Sequence, residues 1–235
     1  ETIGKNAVIT NLVKILGLDV SKPTSFEKLN YGKLCIVTDA DVDGTHIECL
    51  VLNFLHCMFP KLLETGFVVS MKTPIFKITA KTAERFYYDE YSIRLIKEKS
   101  TIKYYKGLGT TKSADVAKIF GKKLVTYTVD DAADKSFEVA FDKSKSLERK
   151  EWIASYVPAP NGLDEAATDT MEYTLSQLLN RQLVKFFHED CVRTLPSCFD
   201  GLKESQRKVL YAAFKRNLNT DIKVAQFGGY VAEHT

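Results

Sequence analysis

The sequence predicts an α/β domain with a parallel sheet, followed by a mainly helical portion. Residues 34–37 form a short, continuously apolar run that ends at acids, which is typical of a strand covered on both faces in a parallel sheet. Apolar residues then recur at helical spacing from residue 47 to residue 59 and indicate a helix soon after that strand. Beyond residue 170 the apolar residues again follow helical spacing, which predicts the helical portion.

The first domain alternates predicted helices and strands. A helix is expected over residues 9–16, where Gly17 is placed to end it. The apolar strand is expected at the centre of the α/β domain, and Pro60 is expected to kink or end the helix that follows it. Further strands are expected at residues 67–71, 75–78, 85–88 and 102–105, and a further helix at residues 111–120.

Composition places the domain boundary at residues 158–170. This stretch is rich in Pro, Ala and acidic residues and has no hydrophobic period, as is typical of a linker. The sequence therefore predicts a first domain over residues 1–157, a linker over residues 158–170 and a helical domain over residues 171–235.

The composition excludes disordered and collagen-like classes, because 45% of the 235 residues are hydrophobic and 27% are charged. The apolar runs fall far short of the ~18 residues that span a bilayer, and no signal peptide is apparent, so no membrane partner is expected. Five cysteines without a CxxC pair indicate an intracellular, reduced protein.

Three carboxylates stand at alternate positions just after the apolar strand. Asp39, Asp41 and Asp43 lie between this strand and the next helix, at the carboxyl edge where α/β sheets place their sites. Hard oxygen ligands at this density suit Mg²⁺ or Ca²⁺. The sequence therefore predicts a divalent-metal site at these residues, and the alternative is a solvated acidic loop with a helix-capping Asp.

Two other motifs fit the same acidic segment less well. An EF-hand loop needs a Glu at its twelfth position and a helix before it, whereas this chain has Leu50 there and a strand before it. The nucleophile motif of haloacid-dehalogenase-type phosphatases resembles residues 41–45, and residues 130–131 would supply the distal acids. In that family, however, the apolar strand runs directly into the nucleophile, whereas Thr38 and Asp39 interrupt it here.

Two further segments carry chemistry. Residues 103–111 run from a strand through two glycines into a helix, which suits either a close approach of the backbone to a phosphate or a tight turn. Residues 203–223 carry six basic residues against two acidic ones, a local excess of four that exceeds the whole-chain charge of +3. This segment is either a phosphate-binding surface or a solvated helix face, and its apolar face is expected to be packed through Val209, Leu210 and Phe214.

These three segments, in this order, resemble the DNA-gate region of a type IIA DNA topoisomerase of the eukaryotic or large-DNA-virus kind. The sequence DADVDG at residues 39–44 is similar to that family's DxDxDG motif, and residues 105–110 read YKGLGT as in the family. An RKEW segment follows at residues 149–152. Residues 195–210 resemble the opening of the family's winged-helix domain.

The resemblance implies both a fold and an activity. The fold is a TOPRIM domain with a Rossmann-like parallel sheet, lacking its N-terminal part, over residues 1–157, and the N-terminal part of a winged-helix DNA-binding domain over residues 171–235. The family's activity is cleavage of both strands of duplex DNA through a tyrosyl-phosphate link with Mg²⁺, and ATP-dependent passage of another duplex through the break.

The resemblance leaves this piece without a nucleophile of its own. The catalytic tyrosine follows an arginine in the family and is expected outside this chain, which contains no Arg-Tyr dipeptide. No catalytic residue is therefore assigned, and this piece alone is expected to be inactive. A Mg²⁺ phosphatase using Asp41 and Asp43, and a DNA-binding module without catalysis, are the alternatives.

The resemblance also implies ligands and partners. Asp39, Asp41 and Asp43 would bind Mg²⁺, with Mn²⁺ or Ca²⁺ as substitutes, and only the full-length enzyme would use ATP. The partners would be double-stranded DNA and, for the full-length enzyme, a second copy in a homodimer. The location would be intracellular: the nucleus or, for a viral protein, the host cytoplasm or viral replication site. The implied DNA-binding residues are His46, Lys106, Lys203, Arg207, Lys208, Lys215, Arg216 and Lys223.

Overall fold

A computed structural model describes residues 3–80, 83–89, 101–157 and 170–235. The chain forms two compact units, Glu1–Phe186 and Phe187–Thr235. In the described part, no helix is long and apolar enough to cross a membrane.

The first sheet of the described chain has the strand order β1, β2, β6, β7. Strand β1 (Leu34–Ile36) runs parallel to β2 (Val68–Met71), and β6 (Leu124–Thr128) runs parallel to β7 (Thr170–Thr174), whereas β2 and β6 are antiparallel. The α/β prediction is confirmed, but the sheet is mixed rather than wholly parallel. Strand β1, which was expected to be central to the domain and covered on both faces, lies at one edge of the described sheet, where it pairs with β2 and leaves Cys35 exposed.

The second sheet is antiparallel, with β3 (Phe76–Thr79) between β4 (Glu84–Tyr87) and β5 (Thr101–Tyr104). Phe76 is fully buried and stacks on Tyr87, with 4.9 Å between the ring centroids. This sheet matters for the site because β5 leads directly into the glycine-rich loop at residues 106–110.

The helices of the first unit follow their capping signals. Helix α1 (Ala7–Leu16) begins at the Asn6 side chain and ends at Gly17, whose φ of 74° suits glycine. Helix α2 (Val42–Met58) is followed by a new short helix, α3 (Pro60–Glu64), in which Pro60 takes the first position that proline favours. The remaining helices before β7 are α4 (Ser113–Ile119), α5 (Ala133–Phe141) and α6 (Ser146–Ala154).

A buried polar cluster ties α2 to the sheet. Glu48 of α2 is 2% exposed and accepts a hydrogen bond from the Tyr127 hydroxyl of β6. The Tyr127 hydroxyl also lies 2.5 Å from that of Ser70 on β2, and Lys72 Nζ lies 3.8 Å from the Glu48 carboxylate. Burial and the Glu48 charge raise the pKa of Tyr127 well above its usual range. The cluster fixes the helix that carries the acidic segment at its start.

The contacts divide the chain later than the linker composition predicts. Residues 158–169 of the expected linker lie outside the described residues, but Thr170–Thr174 forms β7 and pairs with β6. Helix α7 (Leu175–Gln177) and a π-helical segment (Leu178–Leu183) then bury their leucines in the first unit. The division therefore falls between Phe186 and Phe187, within helix α8 (Val184–Thr194).

The second unit consists of the end of α8 together with α9 (Glu204–Lys215) and α10 (Val224–His234). The apolar face of α9 is exposed to solvent, whereas the sequence predicts that it is packed. Val209 and Leu210 are 43% and 42% exposed, and Phe214 is 81% exposed. Within α9 only Ala212 is buried.

Candidate functional site

The acidic segment begins where β1 ends. The carbonyl oxygen of Thr38 accepts a hydrogen bond from the Thr73 hydroxyl at 3.0 Å, which holds the end of β1 to the chain that follows β2. Asp39 comes next and is exposed. The backbone around the first acid is therefore anchored while its carboxylate faces solvent.

Helix α2 starts against the backbone of Asp39. Asp41 is the N-cap, and its Oδ1 accepts a hydrogen bond from the Gly44 N–H at 2.8 Å. Gly44 is buried, and a Cβ there would lie 2.0 Å from the Asp39 carbonyl oxygen. The glycine of the motif is therefore required for this close approach between the helix and the loop.

The glycine-rich loop meets the acidic segment at the Asp39 side chain. The Leu108 N–H donates a hydrogen bond to Asp39 Oδ1 at 2.8 Å. A Cβ on Gly107 would lie 2.8 Å from Asp39 Oδ2, so this glycine also permits a close approach. The sequence of this loop predicts a contact with a phosphate or a tight turn, and it does not reveal the contact with Asp39, because that contact joins residues 69 positions apart.

A buried carboxylate holds the base of this loop. Asp115 of α4 is 3% exposed and accepts hydrogen bonds at 2.8 Å from the Tyr105 hydroxyl and from Lys77 Nζ. Lys103 Nζ lies 3.5 Å from the same carboxylate and donates to the Thr110 carbonyl oxygen at 3.3 Å. The Lys77 hydrogen bond is the main cause that lowers the pKa of Asp115 to about 2, and burial together with Asp115 raises the pKa of Tyr105.

We expect the contribution of Asp115 to stability to disappear in acid. Its pKa is lowered from 3.8 to about 2, so the ionised form stabilises the fold above pH 3.8, and this stabilisation is lost as the pH falls towards 2. Wild type should therefore be more stable than Asp115→Asn at pH 7, and the difference in melting temperature should shrink between pH 4 and pH 2. Thermal unfolding across this pH range measures it, with the exposed Glu27→Gln as control. A difference that stays constant with pH would contradict the assignment.

The acidic segment offers carboxylate oxygens, which are the kind of ligand that Mg²⁺ binds. Asp39 and Asp41 each use Oδ1 to accept a backbone N–H, and within the described residues neither Oδ2 accepts a hydrogen bond. The described residues contain no group of three or more His, Cys, Asp or Glu side chains placed to hold a metal, so Asp39, Asp41 and Asp43 do not form such a group. Mg²⁺ commonly takes one or two carboxylates and completes its shell with water and substrate phosphates.

The remaining predicted residues of the first unit have separate places. Asp43 lies in the first turn of α2 and is half-buried. His46, one turn further on, stacks its ring on Phe186 with 4.0 Å between the centroids. Lys106 is exposed at the start of the glycine-rich loop, beside the contact between Leu108 and Asp39.

Two of the six basic residues of the 203–223 segment already have acidic partners. The Arg207 guanidinium binds the Asp200 carboxylate through two hydrogen bonds of 2.8 and 2.9 Å, and this pairing lowers the pKa of Asp200 to about 2. Lys208 lies 3.0 Å from Glu204 on the same helix. These two cations are therefore partly neutralised within the chain.

The other four basic side chains of this segment are exposed and form no ion pair with the acids of the described chain. Lys203 and Lys223 occupy the N-cap positions of α9 and α10. Lys215 lies 5.7 Å from the Tyr211 ring and Arg216 lies 5.0 Å from the Tyr230 ring, both within cation–π range. The basic surface of the second unit thus consists chiefly of Lys203, Lys215, Arg216 and Lys223.

The RKEW segment is structural in this chain. Arg149 donates from Nε to the Val139 carbonyl oxygen at 2.9 Å, which joins α6 to α5. The Trp152 indole N–H donates to Asn180 Oδ1 at 2.9 Å, which joins α6 to the π-helical segment. The segment therefore supports the helices that follow the site and contributes no side chain to the acidic segment in these contacts.

A family profile described as "C-terminal associated domain of TOPRIM" matches residues 71–191. The chain belongs to this family. A second profile, for one of the subunits of DNA gyrase/topoisomerase IV, matches residues 193–235. The two profiles meet within a few residues of the division between the two compact units.

The similarity extends over nearly the whole chain. DNA topoisomerase 2 of Invertebrate iridescent virus 6 is 42% identical over 98% of this chain, and DNA topoisomerase 2-beta of Gallus gallus is 39% identical over 99%. The chain spans 22% and 16% of the lengths of these relatives, about a fifth. The crystal structure of the Plasmodium falciparum topoisomerase II DNA-binding, cleavage and re-ligation domain matches 98% of this chain and 33% of that chain, with 33% identity and a TM-score of 0.79. The resemblance to the DNA-gate region of type IIA topoisomerases is confirmed.

Proposed function

We propose that this chain is the part of an ATP-dependent type II DNA topoisomerase that supplies metal-binding carboxylates and a DNA-binding surface. The hydrogen bond from Leu108 to Asp39 carries the proposal. It brings together the two motifs that the sequence shares with these enzymes: the acidic segment with Asp39, and the glycine-rich loop that carries the exposed Lys106. Such a pair suits a metal ion and the DNA phosphate that the ion contacts.

Each carboxylate has a distinct task in this proposal. Asp39 and Asp41 would hold Mg²⁺ while their Oδ1 atoms accept hydrogen bonds from backbone N–H groups, and Asp43 would be a further ligand or would support the first two. When bound, the ion supplies stabilisation of negative charge on the scissile phosphate and on the leaving oxygen. The protein residues orient the carboxylates before DNA arrives, which lowers the cost of organising the site.

The DNA surface is proposed to work without reading sequence. Lys106 and His46 would contact the DNA backbone near the metal. His46 would do so from a ring that is already stacked on Phe186. The basic residues of the second unit neutralise phosphates and so position the duplex. Because Arg207 and Lys208 are paired with acids, we expect Lys203, Lys215, Arg216 and Lys223 to contribute more of the binding.

The whole enzyme is proposed to follow its relatives. Mg²⁺ is the expected ion, with Mn²⁺ or Ca²⁺ as substitutes, and ATP would be hydrolysed elsewhere in the full-length enzyme. The strand-passage reaction would need a homodimer that holds one duplex while another passes. The enzyme would work inside the cell where its DNA lies: the nucleus or, if it is viral, the host cytoplasm or viral replication site.

The salt dependence of DNA binding tests the proposed surface. If Lys203 and Lys223 each neutralise a phosphate, replacing both with Ala should flatten the slope of log K against log salt by about 1.8, or about 0.9 for each lost contact. Fluorescence anisotropy with a labelled duplex at several salt concentrations measures the slope. Replacing Arg207 and Lys208 should change it less, because their charges are already offset by Asp200 and Glu204.

The matched control removes two exposed lysines from the first unit. Lys22→Ala and Lys28→Ala change the net charge equally but lie in the polar loop after α1. If the Lys203 and Lys223 substitutions change the salt slope no more than this control does, the basic segment is a solvated helix face and does not bind phosphates. Metal-dependent release of phosphate from a monoester by the chain would instead favour the phosphatase alternative.

A further inference from the structure

The glycine-rich loop at residues 106–110 is held to the second sheet and α4 at both ends. At its start, Tyr105 is 8% exposed, and its hydroxyl donates a hydrogen bond to Asp115. At its end, the Thr110 carbonyl oxygen accepts a hydrogen bond from Lys103, whose Nζ also lies 3.5 Å from Asp115. Both attachments therefore lead to one carboxylate.

We propose that Asp115 is a positioning residue that sets the glycine-rich loop so that the Leu108 N–H orients Asp39. Leu108 follows Tyr105 closely in the chain, so a displaced tyrosine moves the donor that holds Asp39 Oδ1. The part of this inference that concerns metal rests on the proposed function. The part that concerns the loop rests on the contacts alone.

Asp115 is suited to this task by its surroundings. Its hydrogen-bond donors are Lys77 on β3 and Tyr105 directly after β5, and Lys103 on β5 is a further ion-pair partner. A buried carboxylate that loses its partners is costly, so the three partners stay gathered around it. Glu84 also binds Lys77, with Oε1 3.3 Å from Nζ, but in these contacts it does not reach Tyr105.

The loop has little freedom to compensate for a change at its base. Gly107 passes so close to Asp39 that a Cβ would lie 2.8 Å from Oδ2 and 3.2 Å from Cγ. A shift of the loop towards Asp39 would press the backbone on the carboxylate, and a shift away would break the hydrogen bond from Leu108. A carboxylate whose orientation is fixed in this way binds an ion better than a freely rotating one.

Amide hydrogen exchange of Leu108, measured by NMR without metal, tests the positioning. Asp115→Asn preserves the shape of the side chain, and Tyr105→Phe removes only the hydroxyl, so the second variant keeps the test valid if the first folds poorly. Both should make the Leu108 amide exchange about 2- to 10-fold faster, as expected for loss of one hydrogen bond. Glu84→Gln is the matched control, because it weakens an ion pair of Lys77 while leaving the contact of Asp115 with Tyr105 intact.

A titration of the same variants with Mg²⁺ then tests the consequence. Affinity should fall about 10-fold in Asp115→Asn and Tyr105→Phe, the lower end of the loss for residues that orient a metal ligand, and stay near wild type in Glu84→Gln. Unchanged exchange at Leu108 in both variants, with the β3 amides still protected, would overturn the inference. Faster exchange with unchanged Mg²⁺ affinity would support the positioning of the loop and count against Asp39 as a metal ligand, which separates the two ideas.

Discussion

Gly44→Ala should destabilise the first unit, although alanine is a better helix former than glycine. The substitution gains up to about 1 kcal/mol of helix propensity. It also places a Cβ 2.0 Å from the Asp39 carbonyl oxygen, 2.9 Å from its carbonyl carbon and 3.1 Å from its nitrogen. All three atoms belong to the backbone, so either α2 or the acidic segment must move. Overpacking of this kind costs about 1–3 kcal/mol, and we expect a net loss of about 2 kcal/mol.

Urea denaturation of the purified chain measures this loss, and Gly109→Ala is the matched control. Gly109 belongs to the glycine-rich loop, but a Cβ there has no neighbour within 4 Å. Its substitution should leave the unfolding free energy within about 0.5 kcal/mol of wild type. If Gly44→Ala proves as stable as the control, the close approach of α2 to Asp39 is not what selects glycine at this position.

The elements that sequence analysis located correctly are those with strong local signals. The amphipathic period of α2, the Gly17 stop and strands β2 and β3 depend only on neighbouring residues. The acidic segment was found in the same way, because a capping Asp and a buried Gly next to an apolar strand are visible within ten residues. These features determine where α2 starts, and therefore where two of the predicted metal ligands, Asp39 and Asp41, lie along the chain.

The position of the domain division could not be read from local composition. Strand β7 pairs with β6, and the partners Val125 and Met171 are 46 positions apart in sequence. Met171 and Tyr173 are buried on alternate positions, so a period of two was present, but the leucines that follow at helical spacing concealed it. Long-range pairing, rather than the linker composition, keeps residues 170–186 with the first unit.

The contact between Asp39 and Leu108 and the role of Asp115 were also beyond local analysis. Asp115 looks like an ordinary charged residue in the first turn of a short helix, where a carboxylate is common. Its burial follows from the way α4 packs beside the antiparallel sheet and brings Lys77 and Tyr105 to it. Motif order along the chain signalled that the two segments belong together, whereas only the fold shows which atoms meet.

Replacing Asp39 and Asp41 with Asn should reduce Mg²⁺ affinity by at least about 100-fold, more than the loss of about 10- to 100-fold typical of residues that merely orient ligands. Asn keeps the shape of each side chain and an oxygen that accepts the Leu108 or Gly44 N–H, and Asn is a good N-cap residue. The fold should therefore survive while the negative charges are lost. Isothermal titration with Mg²⁺, repeated with Mn²⁺, measures the affinity, and circular dichroism verifies the fold.

A control for charge alone is Asp131→Asn with Asp221→Asn, two exposed acids that do not belong to the acidic segment. This pair should leave Mg²⁺ affinity within about twofold of wild type, because dispersed surface carboxylates act only through a screened field. The single variants Asp39→Asn and Asp41→Asn should each show most of the loss, since ligands that share one ion are not additive. Equal Mg²⁺ affinity in wild type and the Asp39 and Asp41 double variant would mean that these carboxylates cap α2 and receive the glycine-rich loop without binding metal.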